Sequence, residues 1–213
     1  MPSLRIRVET MSLSAPLHVI VAEQHSIFDK LHPIIVFEGL DGTGKSTQVE
    51  LLVDKLNAHH LSTSTLMNQP KTPEERHKSY MTNNHLASKE MVEIRKYQAV
   101  VVDRYLASTL SSYYANFSFY PFGYSEWTTP YPDEFIIPTL VFNIELDESV
   151  RIKRLAERGL VLDFTEKKLI GDQNYRSCMK AWLRVMSTIT IDATSMSIEQ
   201  LHACILSHIR GVI

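Results

Sequence analysis

Pro33-Ile34-Ile35-Val36-Phe37-Glu38-Gly39-Leu40-Asp41-Gly42-Thr43-Gly44-Lys45-Ser46-Thr47 decides how the rest of the chain is read. It begins as an apolar run fit for a buried strand and continues as G-x-x-x-x-G-K-S, after which Val49, Leu52, Val53 and Leu56 recur at helical spacing. Strand, glycine-rich loop and helix in that order make a phosphate cradle. The glycines let backbone N–H groups curl around phosphate oxygens, and the helix that follows offers unpaired N–H groups and the positive end of its dipole. Lys45 would reach the β- and γ-phosphates of a nucleoside triphosphate, and the Ser46 hydroxyl would bind the Mg²⁺ that bridges them. A Gly-rich turn before an ordinary helix is the plainer alternative; the strand before the loop and the helix after it favour the cradle.

At 213 residues, 44% hydrophobic and 22% charged, the chain suffices for one well-buried α/β domain and is short for two. A net charge of -2 provides no global basic field, so nucleic acid is not expected as a partner. Cys178 and Cys204 are the only cysteines and fit a reducing compartment. No apolar run approaches the roughly 20 residues that cross a bilayer, so a soluble protein with no membrane partner is expected. Nine histidines are scattered, and even His59-His60 lacks metal-site company, so no metal beyond nucleotide-bound Mg²⁺ is assigned. Residues 1–32 read as an N-terminal extension of unassigned role, ahead of a domain at 33–213. Arg5, Arg7, Ser3, Ser12 and Ser14 have transit-peptide composition, which Glu9, Glu23 and Asp29 oppose; Leu17 to Ala22 reads as a strand or helix packed beside the core, or as the remnant of a longer N-terminal region.

Downstream, Leu61 to Met67 alternates hydroxyl and apolar residues as a second strand, ended by Gln69-Pro70-Lys71-Thr72-Pro73. Glu74 to Lys96 reads as helical, with Leu86, Met91 and Ile94 towards the core and Asn83-Asn84 as a point of interruption. Ala99 to Tyr105 is a third strand whose continuous apolar run ends in a carboxylate, delivered to the sheet edge where ligands bind in open α/β folds. Asp103 would there reach Mg²⁺ or its waters, with helix capping as its structural alternative. Arg104 supplies the planar, permanently charged donor that phosphate recognition favours. Residues 108–115 form a short helix entered at Ser108, and the aromatic stretch from Phe117 to Tyr131 is read as a cover over the core. Thr139 to Leu146 is a fourth strand, and Asp147 opens a helix that sets Arg151, Arg154 and Arg158 along one face. Such a row is ordinarily an exposed basic stripe. Gly159 ends it, and Asp163 to Asp172 is a candidate hinge for a lid whose arginines would neutralise a moving phosphoryl group. Tyr175 to Met186 continues as a helix with Trp182 inward, Thr188 to Ile191 is the fifth strand, and the last helix packs through Ile198, Leu201, Ile205 and Ile209.

On these residues the chain resembles the thymidylate-kinase-like nucleoside monophosphate kinases, over about residues 33–210. The likeness is carried by Phe37 to Thr47, by Val102-Asp103-Arg104-Tyr105 with Ser108, by the arginine series, and by Ile191-Asp192-Ala193-Thr194. Lys71-Thr72-Pro73, Ser108-Thr109, and Trp127 with Pro138 make it look closest to the mitochondrial UMP/CMP kinase branch. The resemblance implies a P-loop NTPase fold: a doubly wound sheet of about five parallel strands flanked by helices, with a lid. It also implies transfer of the ATP γ-phosphoryl group to a pyrimidine nucleoside monophosphate, (d)CMP or (d)UMP foremost and dTMP as the alternative, with Mg²⁺ accompanying ATP. A location in the mitochondrion or cytoplasm is expected, and a homodimer is allowed.

The implied roles fall residue by residue. Lys45, Asp103, Arg154 and Arg158 would be catalytic. Gly39, Asp41, Gly42, Thr43, Gly44, Lys45, Ser46 and Thr47 would hold ATP, with Ala193 and Thr194 bordering adenine. Asp41, Arg76, Tyr80, Arg104 and Ser108 would bind the acceptor, and Ser46 and Asp103 the metal. Gly42 stands where some members place a phosphate-loop arginine, which makes the lid arginines more necessary. Two departures bear on the acceptor. The segment from Pro73 to Met81 is shorter than the family's acceptor-binding region, and His85 follows Asn84 where thymidylate kinases usually carry an arginine. The shortened segment motivates a second reading, a non-catalytic nucleotide-binding module. A GTPase is disfavoured because no N-K-x-D guanine signature follows.

Overall fold

Alternation inside the apolar runs builds the sheet into two cores. In the computed structural model, which describes residues 31–63, 72–121, 131–159 and 161–211, Ile34 and Val36 face one cluster and Ile35 and Phe37 the other. These residues belong to β1 (Ile34–Glu38), whose five positions are all buried. Around it stand β2 (His59–Ser62), β3 (Val100–Asp103), β4 (Leu140–Glu145) and β5 (Ile189–Asp192), all parallel, in the order β2-β3-β1-β4-β5. Burial on both faces explains why β1, β3 and β4 read as largely apolar runs, while the edge strands β2 and β5 are partly exposed and mix in polar residues. The strand order reverses at β1, so its carboxyl end is the switch point where an open α/β sheet leaves a crevice.

The described helices are α1 (Lys45–Leu56), α2 (Pro73–Ile94), α3 (Leu106–Asn116), α4 (Glu148–Glu157), α5 (Phe164–Gly171), α6 (Gln173–Val185) and α7 (Ile198–Ile209). α1 and α7 cover one face through Val49, Leu52, Leu201, Ile205 and Ile209. α2, α3 and α6 cover the other, with Met91, Leu106, Leu110, Cys178 and Trp182 at its centre. Trp182 is 1% exposed, lies 4.5 Å from the Tyr114 ring, and donates its indole N–H to the Phe119 carbonyl at 2.6 Å. Tyr131, at the end of the aromatic stretch, and Phe135 beyond it are buried edge-on to Tyr105 and roof the core, whereas Phe117 and Phe119 at its start are more than half exposed. Its middle, residues 122–130, lies outside the described residues, as does Leu17 to Ala22 with all but the end of the expected extension.

Several expected details are corrected. β2 begins at His59, two residues before the expected Leu61, and its register with the four-residue β3 runs from His59↔Val100 to Ser62↔Asp103; residues 64–67 of the expected strand lie outside the described residues. Asn83-Asn84 does not interrupt α2: Asn84 is fully buried and donates its amide to Thr109 Oγ1 at 2.8 Å. Leu86 is 60% exposed, since the inward stripe of α2 is Asn84, Ala87, Ser88 and Met91. Ile198 sits in the first turn of α7 and is exposed as well. α3 starts two residues before Ser108, and Asp163 to Asp172 is mostly the helix α5 rather than a loose hinge.

Candidate active site

The loop after β1 is shaped by what presses on it. Gly42 has φ +88°, and a Cβ there would lie 2.9 Å from Leu155 Cγ and 3.2 Å from the Arg151 carbonyl of α4. Positive φ and missing side chain are both required, which is why only glycine suits this position. α4 is fixed in turn by Arg151, which is fully buried, donates to the Asp41 carbonyl at 2.8 Å and pairs with Glu148. The expected exposed stripe is therefore split: Arg151 is a strut, while Arg154 and Arg158 face the cleft beside the loop.

Glu38, the last residue of β1, is fully buried and accepts from the Tyr105 N–H at 2.8 Å, the Ser108 N–H at 3.2 Å and the Ser108 hydroxyl. It thus holds the first turn of α3 against the end of β1, where the charge also suits the helix N-terminus. Burial pushes its carboxyl above the ordinary range, against the pull of Ser108 and Arg104. Arg104 sits between β3 and α3 with φ 66°, donating to the Gly39 carbonyl at 3.0 Å and to Ser108 Oγ at 2.8 Å, and pairing with Asp41. Burial acts to raise Asp41, but Arg104 and Lys45 outweigh it and hold the carboxyl below its usual value.

Lys45 is 5% exposed and donates to the Leu40 carbonyl at 2.7 Å. Burial first, and Arg104 second, lower its ammonium to about 8, against the opposing pull of Asp41, Asp103 and Glu38. Ser46 lies in the first turn of α1 and Asp103 closes β3, and their side chains meet at 2.7 Å. Two hard oxygen donors side by side at a phosphate loop fit Mg²⁺, which takes few protein ligands and completes its octahedron with water and phosphate oxygens.

Two cavities meet here. A cleft of about 700 Å³ is lined by Asp41 to Gln48, Asp103, Arg104, Arg154, Arg158, Asp163, Ala193 and the start of α7. A smaller cavity of about 160 Å³ lies beyond Asp41 and Arg104, walled by α2 (Arg76, His77, Tyr80), α3 (Ser108, Ser112, Tyr113, Asn116) and α5 (Phe164, Lys168). Asp41, Arg104 and Asp163 line both. The lid is tied across this junction. Arg158 pairs with Glu166, Asp163 caps α5 by accepting the Glu166 N–H at 2.8 Å, and the Arg76 guanidinium lies 4.7 Å from the Phe164 ring centre.

Of the residues expected here, Asp41, Gly42, Thr43, Gly44, Lys45, Ser46, Thr47, Asp103, Arg154, Arg158 and Ala193 line the cleft, and Asp41, Arg76, Tyr80, Arg104 and Ser108 line the cavity. Gly39 lies behind the loop and contributes its carbonyl to Arg104. Thr194 is not part of the lining; its hydroxyl accepts the Asp147 N–H at 2.8 Å and donates to Asp192, so it shapes the loop. His85 packs its ring edge against Phe135, outside the cavity. Sequence reasoning gave no role to Glu38, Gln48, His77 or Lys168. Gln48, buried among the apolar positions of α1, donates to the Ile198 carbonyl at 3.0 Å and so ties α1 to α7. A polar residue on that stripe was the available signal. His77 stacks on Tyr113 at 4.0 Å, and burial keeps its imidazole below the ordinary pKa.

A phosphate loop at the switch point, a serine–aspartate pair beside it, and a second cavity across a shared arginine define a P-loop phosphotransferase. The family model for thymidylate kinase matches residues 37–205, and the chain belongs to the thymidylate kinase family, whose members are ATP-dependent nucleoside monophosphate kinases. A probable thymidylate kinase from Methanocaldococcus jannaschii is 26% identical over 190 residues, covering 84% of this chain and 96% of its own. Thymidylate kinase from Candida albicans superposes with a TM-score of 0.59 at 18% identity, over 85% of this chain and 92% of that one. Deoxyadenosine kinase from M. mycoides, with bound dATP, gives a TM-score of 0.57 at 16% identity, over 84% and 99%. Both structural likenesses concern the fold.

The expected kinship with the UMP/CMP branch finds no support in these relatives; they favour the thymidylate alternative. The residues that suggested it serve the fold. Thr72 caps α2 by accepting the Glu75 N–H, Pro73 is its first residue, Ser108 is bound to Glu38, and Thr109 accepts from Asn84. Lys71 and Trp127 lie outside the described residues.

Proposed function

We propose that the chain transfers the γ-phosphoryl group of ATP to dTMP. The observation that carries this is the pair of cavities meeting at Asp41, Arg104 and Asp163, one on a phosphate loop and one walled by Arg76, Tyr80, Arg104 and Ser108. The thymidylate family match supports dTMP over the cytidine and uridine monophosphates.

In this mechanism the loop N–H groups and Lys45 hold the β- and γ-phosphates, and Arg104 turns from Asp41 and Ser108 to the acceptor phosphate. Ser46 and Asp103 would hold Mg²⁺ with ATP, and the ion when bound would supply charge neutralisation at the phosphate oxygens. The acceptor phosphate is already a competent nucleophile, so positioning replaces general-base chemistry. Arg154 and Arg158 take up charge on the transferring group, a contribution of about 10³- to 10⁵-fold for a well-placed arginine. Closure of α4 and α5 excludes water as a competing acceptor.

ADP formation measured with dTMP, dUMP, dCMP, UMP and CMP, each offered alone and with Lys45→Ala as control, tests the proposal. Fastest turnover with dTMP, lost in the variant, is expected. Faster turnover with CMP or UMP refutes the acceptor assignment. ATP binding with no acceptor-dependent consumption refutes the kinase and leaves the binding module.

A further inference from the structure

The acceptor cavity contains a cation that the phosphoryl-transfer mechanism does not use. Lys168, on α5, lines the cavity wall, donates to Asn116 Oδ1 at 2.6 Å, and lies 4.3 Å from the centre of the Tyr175 ring. Among the described residues it makes no ion pair with a carboxylate. Burial, opposed by Asp172 and reinforced by Arg76, lowers its pKa. An ammonium has three N–H donors, and Asn116 takes one.

The orientation of Asn116 is fixed from both sides. Its Nδ2 donates to the Ser112 carbonyl at 2.8 Å and its Oδ1 faces the Lys168 ammonium, so a flipped amide would oppose like groups twice. Lys168 and Asn116 therefore offer an adjacent donor and acceptor of settled identity. Their place in the cavity follows from helix geometry. Ser108, Ser112 and Asn116 line one face of α3, and Ser108, bonded to Arg104, marks the phosphate end. Two helical turns further on, about 12 Å along the axis, Asn116 stands where the far edge of a bound pyrimidine nucleotide would lie.

We propose that Lys168 is a specificity-determining residue of the acceptor site, donating from the lid to a carbonyl oxygen of a 4-oxo pyrimidine while Asn116 Oδ1 accepts from the ring N3–H. Thymine and uracil present a carbonyl beside N3–H. Cytosine presents an amino group at C4 and a bare N3, which set donor against donor and acceptor against acceptor. Because Lys168 travels with α5, base identity is read by the same element that closes beside Arg158. Only an acceptor with the right edge completes the closed lid.

The inference rests on the dTMP proposal, and its test separates the two. Turnover of dTMP, dUMP and dCMP is measured at saturating ATP for the wild type, Lys168→Met and Lys168→Gln, with KM for ATP and a thermal melt for each. Lys168→Met should lower kcat/KM for dTMP and dUMP about 10- to 100-fold, mainly through KM, keep or raise it for dCMP, whose opposed donor is removed, and leave KM for ATP unchanged. Lys168→Gln, whose amide serves either edge, should show an intermediate preference and covers the case in which the methionine variant does not fold. A wild type that prefers dTMP, with variants that keep the same dTMP-to-dCMP ratio, overturns this inference alone. A wild type that prefers dCMP overturns both proposals.

Discussion

Replacing Gly42 by alanine tests whether the phosphate loop and α4 form one packed unit. The new Cβ meets Leu155 Cγ at 2.9 Å, Leu155 Cδ2 at 3.1 Å and the Arg151 carbonyl at 3.2 Å, all on a helix whose Leu155 is 2% exposed. A non-glycine residue at φ +88° costs about 1–2 kcal/mol, and forcing a methyl group into a packed contact adds about 1–3 kcal/mol. The expected destabilisation is about 2–5 kcal/mol, a fall in melting temperature of roughly 4–20 °C for a chain of this size. Gly44→Ala is the internal control. It shares the positive φ, but its Cβ would meet only Arg154 Nη1, at 3.7 Å, so it should lose the backbone component alone. Thermal melts of both variants and kcat at saturating substrates are the measurements. Gly42→Ala should also lose turnover by about 100-fold, because α4 carries Arg154 and misplacement by about an ångström has that effect. A Gly42→Ala protein that melts with Gly44→Ala and keeps its kcat would refute the packing account; an active, stable Gly42→Arg would do so more forcefully.

Ser46→Ala and Asp103→Asn each remove one of two oxygens 2.7 Å apart, so each should depress kcat by at least about 100-fold and raise the Mg²⁺ concentration required, in a titration of activity against the metal. Lys45 is held at about 8 when folded against 10.5 for the ordinary group, so between those values the unfolded chain binds more protons. Stability should therefore rise with pH by about 3 kcal/mol across that window, and Lys45→Met should lack the slope in denaturant melts at pH 7.5, 9 and 10.

What could be read in the sequence was what depends on short range or on strand ends. The loop from Gly39 to Ser46 imposes its own conformation, and Ala99 to Asp103 announces a buried strand, so the meeting of Ser46 and Asp103 followed from two strands ending side by side. Arg76 and Tyr80 line the smaller cavity one turn apart on α2, as helical spacing allows. Glu38 was quoted and given no role because its three donors all come from residues 105 and 108, nearly seventy positions away. Leu86 was misassigned because α2 buries polar residues instead: Asn84 bonds Thr109, and Ser88 accepts the Ile136 N–H at 2.8 Å. Such polar burial depends on partners that hydrophobic periodicity cannot see. Lys168 sat unnoticed in a charged stretch for the same reason.

The central position of β1 also decides when the chain can first bind a nucleotide. β1 pairs with β3 on one side and β4 on the other, and the Ile34 N–H bonds to Thr139 Oγ1, 105 residues away. Gly39 presses so closely on β4 that a Cβ there would sit 2.4 Å from the Ile144 carbonyl. A nascent chain emerging from the ribosome therefore carries its signature motif early, without the neighbour that shapes it. Long-range parallel pairing is slow because loop closure must precede any gain. Nucleotide added during refolding should accelerate only steps after β4 has docked, leaving the earlier, aggregation-prone species without that protection.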